Sequence, residues 1–403
     1  MVKPKREPKK AVAPTPMTYR LWLALYFCLA AFTGLLLGVA LNRPEDTVPI
    51  LAGTFLTLIL FDLTMRLLMW SAITFHELGH VLAGWASGFR FISLEVMNLG
   101  LGITDKGLRF YVLKDRRAAG LALMTPKSSD RLLAKYRRFV IGGPIATTIG
   151  FLITLWIFLQ CNFPRREDGI EILIVYVVAI SALYINTILF LSSFFPIAFK
   201  GMASDALILW QLRKSGPEQL RMLASVQIGE QIRGGIRARE WTDALVDALG
   251  APSDATVLEM RGRYLRYYQL ADRGQVEEAW NELCRAAELS VTLAKTSGFF
   301  KGLLESEKVF AASWWKRDAA LARSLIPPEK PEHELVVSTY LRALATVALV
   351  EGQPEETMRL MQTAHEAGMK IVARYRIRSA TDVAWSEDIL AAATAMIAKS
   401  SPP

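Results

Sequence analysis

The chain has 403 residues, 52% of them hydrophobic and only 21% charged, with a net charge of +9. So much apolar side chain excludes a disordered or collagen-like chain. The basic excess sits beside apolar runs rather than among interleaved aromatics, so a nucleic-acid stacking surface is not expected. Cys28, Cys161 and Cys284 are too few and too scattered for a disulfide framework or a cysteine zinc site, and are read as free thiols.

In chain order, a basic cytoplasmic tail over residues 1–19 carries Lys3, Lys5, Arg6, Lys9 and Lys10 against Glu7. The uncharged run Leu21–Leu41 follows, with Arg20 just before it. A signal peptide is the rival reading, since Gly38-Val39-Ala40 is a passable cleavage site, but its apolar core would be only about 7–15 residues. About 20 residues span a bilayer core, so a retained span is preferred. Three more apolar segments are predicted to span: Pro49–Ala86, Phe139–Leu159 and Ile170–Phe199. The segment from residue 87 to 138 holds eleven Lys/Arg against four Asp/Glu. By the positive-inside rule it is cytoplasmic, with both termini, in a multi-pass protein of the plasma (inner) membrane. The segment Pro49–Ala86 is long for one span. Two spans would place the basic loop outside, so one tilted or broken helix is expected, with Asp62 and Arg66 neutralising each other one turn apart. The runs Phe91–Val96 and Leu108–Leu113 favour strands around a Gly- and Asp-containing turn region, which predicts a β-hairpin at the cytoplasmic face of the membrane.

The chemistry is concentrated in Thr74-Phe75-His76-Glu77-Leu78-Gly79-His80, an H-E-x-x-H pattern. On a helix, positions i and i+4 share a face, so both imidazoles reach one metal ion and Glu77 can act on water there. Ionisable residues inside an apolar segment are costly, which makes a functional site the default reading. His333 and His365 lie in polar helical sequence and are read as surface residues. A catalytic zinc needs a third protein ligand. Asp205 is the candidate, after the break at Phe195-Pro196 and the loosening Gly201. A helix N-cap or a solvated carboxylate is its alternative role, since Ser204-Asp205 precedes the helical run Ala206–Leu212.

The order of Phe75-His76-Glu77-Leu78-Gly79-His80, then Gly142-Gly143-Pro144, then Pro196 and Asp205 resembles the site-2 protease family of intramembrane zinc metalloproteases. The resemblance covers about residues 60–210. It implies that His76, His80 and Asp205 bind zinc, that Glu77 is the general acid/base, and that the β-element helps present an unwound substrate strand by edge pairing. It also implies substrate-positioning roles around Gly142, Gly143, Pro144, Thr147 and Ser193. Three positions depart from the family pattern: Ser193 and Thr147 stand where Asn is usual, and Ala206 where Gly is usual. No PDZ-like insert fits the short 160–169 loop.

From about Gly216 the chain reads as successive amphipathic helices. Gly274 before Val276–Trp280, with Leu283 and Ala286, matches Gly352 before Pro354–Thr357, with Met361 and Ala364. This resembles tetratricopeptide helical hairpins, though without a fixed 34-residue period. Trp314-Trp315 is read as core in preference to a groove lining, Pro327–Pro331 as a loop and Ser400–Pro403 as a frayed tail.

The expected architecture is an α-helical integral membrane protein of about four spans with a membrane-associated β-hairpin, plus a soluble all-α C-terminal domain. The transmembrane metalloprotease domain is placed at 20–212 and the cytoplasmic helical domain at 213–403. The expected activity is zinc-dependent cleavage within a transmembrane segment of a membrane protein. The alternative is a non-proteolytic adaptor whose helical domain recruits a cytosolic protein or peptide. A transporter is disfavoured by the lack of internal repeats and of polar residues in the other spans.

Overall fold

The computed structural model describes residues 47–104, 107–112, 119–161, 170–199, 202–250, 257–293, 298–331, 334–375 and 379–400. The run Leu21–Leu41, Cys28, His333 and the loop 162–169 lie outside the described residues.

The first described element is α1 (Thr47–Ala86), an unbroken 40-residue helix. At 1.5 Å per residue it is about 60 Å long. The helix runs through Asp62 and Arg66 without a break. They pair across one turn, Arg66 Nε to Asp62 Oδ2 at 2.6 Å, on the outside of the bundle.

Four antiparallel strands follow: β1 (Phe89–Val96), β2 (Leu99–Thr104), β3 (Gly107–Val112) and β4 (Gly120–Pro126). Their order is β3-β2-β1-β4. This corrects the expected single hairpin. Phe91–Val96 does not pair with the 108–112 run. Its partners are β2 on one side and β4 on the other, and β3 pairs with β2. The reason is local. Met97, at φ 53°, turns the chain back directly after Val96. The run Leu99-Gly100-Leu101-Gly102, taken from sequence as turn, is a strand whose glycines make room for Tyr111. A Cβ at Gly100 would lie inside the Tyr111 ring, whose hydroxyl donates to Glu95 Oε1 at 2.9 Å.

Helix α2 (Leu132–Gln160) begins ahead of its apolar run and continues through Pro144. Helix α3 (Ile170–Phe194) stops before Phe195-Pro196, earlier than the apolar segment suggested, because the residue before proline disfavours helix. A two-stranded ribbon, β5 (Ala198–Phe199) with β6 (Met202–Ala203), then reverses the chain into α4 (Asp205–Arg213). Among the described residues, Leu132–Gln160 and Ile174–Phe194 are long and apolar enough to cross a membrane. Large apolar side chains point outward on all three long helices, among them Leu67, Leu82, Ile145, Leu152, Trp156 and Val175.

Beyond α4 the chain is helical: α5 (Pro217–Arg233), a 3-10 turn (Ala238–Glu240), α6 (Asp243–Gly250), α7 (Val257–Asp272), α8 (Val276–Thr292), α9 (Gly298–Phe310), a π turn (Ala311–Trp315), α10 (Ala319–Ser324), α11 (Glu334–Val350), α12 (Pro354–Tyr375) and α13 (Ala380–Ser400). The pairs α7/α8 and α11/α12 are hairpins, each turned at a positive-φ glycine, Gly274 at 78° and Gly352 at 76°. The matched positions do the same work in both: Ala279, Leu283 and Ala286 are buried in one, Thr357, Met361 and Ala364 in the other. Trp314 and Trp315 pack into the core, with Trp315 against Phe310 and Trp385. His365 is exposed, as expected; α13 ends at Ser400, and the rest of the expected tail Ser400–Pro403 lies outside the described residues.

Helix α5 belongs to two cores. Ala224 and Ile228 enter the core of the helical half, while Met222, Leu223 and Val226 pack against α2, α4 and the sheet layer.

Candidate metal centre

Three elements remote in sequence meet at one point. Helix α1 presents His76 and His80 one turn apart, with ring centroids 4.9 Å from each other and the rings nearly perpendicular. Helix α4 presents Asp205 from its first turn, with Oδ2 3.2 Å from His76 Nε2 and Oδ1 3.4 Å from His80 Nε2. One ligand atom from each of the three residues lies within 4.8 Å of the other two, a spacing that could hold a metal ion. Two imidazole nitrogens and a carboxylate oxygen, without thiolate, form a donor set suited to zinc among several divalent metals.

Helix α2 sets the orientation of both rings. His76 Nδ1 lies 2.6 Å from Thr147 Oγ1. His80 Nδ1 lies 3.0 Å from the Phe139 carbonyl. A carbonyl only accepts, so in that bond His80 Nδ1 carries a proton, and Nε2, which faces Asp205 in the metal-free chain, is the nitrogen that would turn to a metal. Gly143 N also sits 3.3 Å from His80 Nδ1. The two contacts are alternatives: Nδ1 donates to the Phe139 carbonyl when it is protonated and accepts from the Gly143 N–H when it is not. The Thr147 hydroxyl can accept from His76 Nδ1 in the same way. Metal-ligating histidines are commonly held through the second nitrogen like this.

The glycines explain how α1 and α2 come so close. A Cβ at Gly79 would strike the Gly142 carbonyl, and one at Gly142 would strike the Gly79 carbonyl. A Cβ at Gly143 would run into both imidazoles. Gly142 and Gly143 therefore shape the helix crossing and the ring pocket. Pro144 is buried beside them. Ser193 is buried in the last turn of α3 and shares no hydrogen bond with the three donors among the described residues.

Glu77 is buried beside the triad and the inner side of β4. The Ala122 backbone hydrogen-bonds it, and a Cβ at Gly120 would collide with its carboxylate. Asp205 is free to face the histidines because Ser204 takes the N-cap role, its Oγ accepting from Leu207 N at 3.3 Å. Burial would raise the Asp205 carboxyl. Hydrogen bonds from His76 and His80 outweigh it and hold the metal-free carboxyl down at about 2.

Sequence reasoning missed Phe139, Gly120, Ala122 and Ser204. The first three act through backbone or through a missing Cβ, for which side-chain chemistry gives no signal. Ser204 did carry a signal, as a good N-cap residue preceding a helical run.

No family model matches the chain, and no curated protein or solved structure matches it significantly.

Proposed function

We propose that this chain is a zinc-dependent endopeptidase acting within the membrane, similar to site-2 proteases, on a transmembrane segment of a membrane-protein substrate. The observation that carries the reading is the convergence of His76, His80 and Asp205 at one point, with Glu77 buried beside them. A chance H-E-x-x-H match has no reason to find a third donor on a distant helix.

In this reading His76, His80 and Asp205 would hold the metal, and three protein donors leave a position for substrate or water. Zinc, when bound, supplies a Lewis acid that brings water's ionisation near neutral pH. Glu77 takes a proton from the attacking water and returns it to the amide nitrogen as the C–N bond breaks. Its place against β4 puts that proton relay beside a terminal strand of the sheet. A substrate segment unwound into a strand would add to that edge by main-chain hydrogen bonds. The outward apolar side chains on α1, α2 and α3 support a bilayer around these helices, since a water-facing surface rarely carries such a belt. The basic 87–138 region supports a cytoplasmic placement of the sheet and of the helical half.

The test uses purified protein and a single-pass membrane reporter co-expressed with it. Glu77→Gln is expected to retain about one zinc per chain and to abolish cleavage that the unaltered protein performs. Cleavage undiminished by Glu77→Gln would overturn the reading and favour a membrane adaptor built around the helical half.

A further inference from the structure

We propose that Gln219, in the first turn of α5, is a positioning residue for Asp205 and acts through helix α4. The inference rests on the reading of His76, His80 and Asp205 as metal ligands and concerns what holds the third of them in place.

Helix α4 has only nine residues, with Asp205 at its first position and Leu212 near its end. The last carbonyls of any helix lack a partner within the helix. The Leu212 carbonyl is taken by two side chains from different directions. Gln219 Nε2 donates to it at 2.5 Å from α5, and the Arg137 guanidinium donates to it from α2. The Leu212 side chain is fully buried, packed with Val140 of α2 and Met222 of α5. The other end of α4 is pinned by one hydroxyl. Ser204 Oγ donates to Phe195 O at 2.7 Å and accepts from Ile197 N at 3.0 Å and Leu207 N at 3.3 Å.

Helix α4 is therefore a short rod fixed at both ends, with a ligand at one of them. From Asp205 to Leu212 it is about 10 Å long. A pivot of about 5° at the Leu212 end would move Asp205 by about 1 Å, several times the ~0.2 Å within which ligand distances hold. Arg137 belongs to the same layer as the histidines. Gln219 lies on α5, whose Met222 and Leu223 face that layer and whose Ala224 and Ile228 lie in the core of the helical half. The contact between Gln219 and Leu212 therefore couples a helix shared by both halves to the helix that carries the third ligand.

The experiment loads full-length detergent-purified protein with Co2+ and records its visible d–d spectrum, with affinity measured by chelator competition. Gln219→Glu keeps the size of the side chain and replaces its N–H donor with an acceptor. It is expected to shift the d–d bands and weaken affinity about tenfold, in the range of lost outer-shell contacts. Leu220→Gln, on the exposed neighbouring position, is expected to match the unaltered protein in both. Should Gln219→Glu fail to fold by circular dichroism, Gln219→Met, which removes the donor and adds no charge, is expected to give the same band shift and loss of affinity. Wild-type spectrum and affinity in the folded variant would overturn the inference while leaving the metal centre standing. Failure of the unaltered protein to take up one Co2+ would overturn the metal-centre reading itself and the inference with it.

Discussion

At the scale of single residues, the centre depends as much on the atoms that aim the imidazoles as on the donors themselves. Thr147 is buried and meets His76 Nδ1 at 2.6 Å. Thr147→Val keeps the shape and removes the hydroxyl, so His76 loses the partner that fixes its tautomer. Zinc affinity is expected to fall roughly 10- to 100-fold, with Thr147→Ser close to the unaltered protein. Chelator competition followed by absorbance checks this, and equal affinity in all three would show that the hydroxyl does not orient the ring. This position also marks where sequence reading stops. The clustering of His76, Glu77 and His80 was legible because H-E-x-x-H places those side chains together on one face of a helix. Thr147 was noticed only as a departure from a family pattern and assigned to substrate handling. Asp205 stood between ligand and N-cap, because both roles suit a carboxylate at a helix start. The structure separates them by giving the cap to Ser204.

At the scale of elements, the helical half is tied together by a buried charged cluster. Glu307 on α9 accepts from Tyr267 and Tyr268 of α7, both at 3.0 Å, and from Arg342 of α11 at 2.8 Å. Arg342 also bonds Asp382 of α13 and lies over the Phe310 and Trp385 rings, 4.5 and 5.4 Å from their centroids. Four helices thus share one network. Burial outweighs the nearby Arg342 and holds the Glu307 carboxyl above its ordinary value of 4.5. The folded chain then binds a proton more tightly than the unfolded chain does. As pH rises from 4.5 through the folded value, the unfolded state loses its proton first and stability falls. Glu307→Gln cannot titrate, and its thermal unfolding is expected to lack that downward slope above pH 4.5. Parallel slopes for Gln and Glu at this position would contradict the direction of the shift. None of this network was visible in the sequence, because its members lie on four different helices. The helical hairpins were visible, through the glycines at 274 and 352 and the small residues repeating at fixed offsets after them. The sheet was misread for a related reason. Gly100 and Gly102 look like turn residues until Tyr111 is seen to occupy the space that their missing side chains leave.

At the scale of the whole molecule, α5 joins the layer of long apolar helices to the helical half. Among the described residues the helices at two of the predicted spans, Leu132–Gln160 and Ile174–Phe194, are long and apolar enough to cross a membrane and Thr47–Ala86 is not among them, and the free thiols allow the expected topology to be tested directly. Cys161 lies just beyond the end of α2 and Cys284 lies within α8, both partly exposed. In a chain with Cys28→Ala, a membrane-impermeant maleimide added to intact cells is expected to label Cys161 and to reach Cys284 only after permeabilisation. Labelling of Cys284 in intact cells would place the helical half on the wrong side of the membrane. The succession of long apolar helices and amphipathic helices was legible in coarse outline, since long apolar runs are a property of composition. The way α5 divides its two faces between the layers was not, since one short amphipathic helix looks much like another until its partners are known. That His76, His80 and Asp205 hold one metal ion is tested most directly by the zinc-edge X-ray absorption spectrum of the purified, zinc-loaded chain. About one zinc per chain is expected, with nitrogen and oxygen neighbours only, two of them imidazoles at about 2.0–2.1 Å, and a changed spectrum in Asp205→Ala. Sub-stoichiometric zinc, sulfur in the coordination shell, or a spectrum untouched by Asp205→Ala would contradict it.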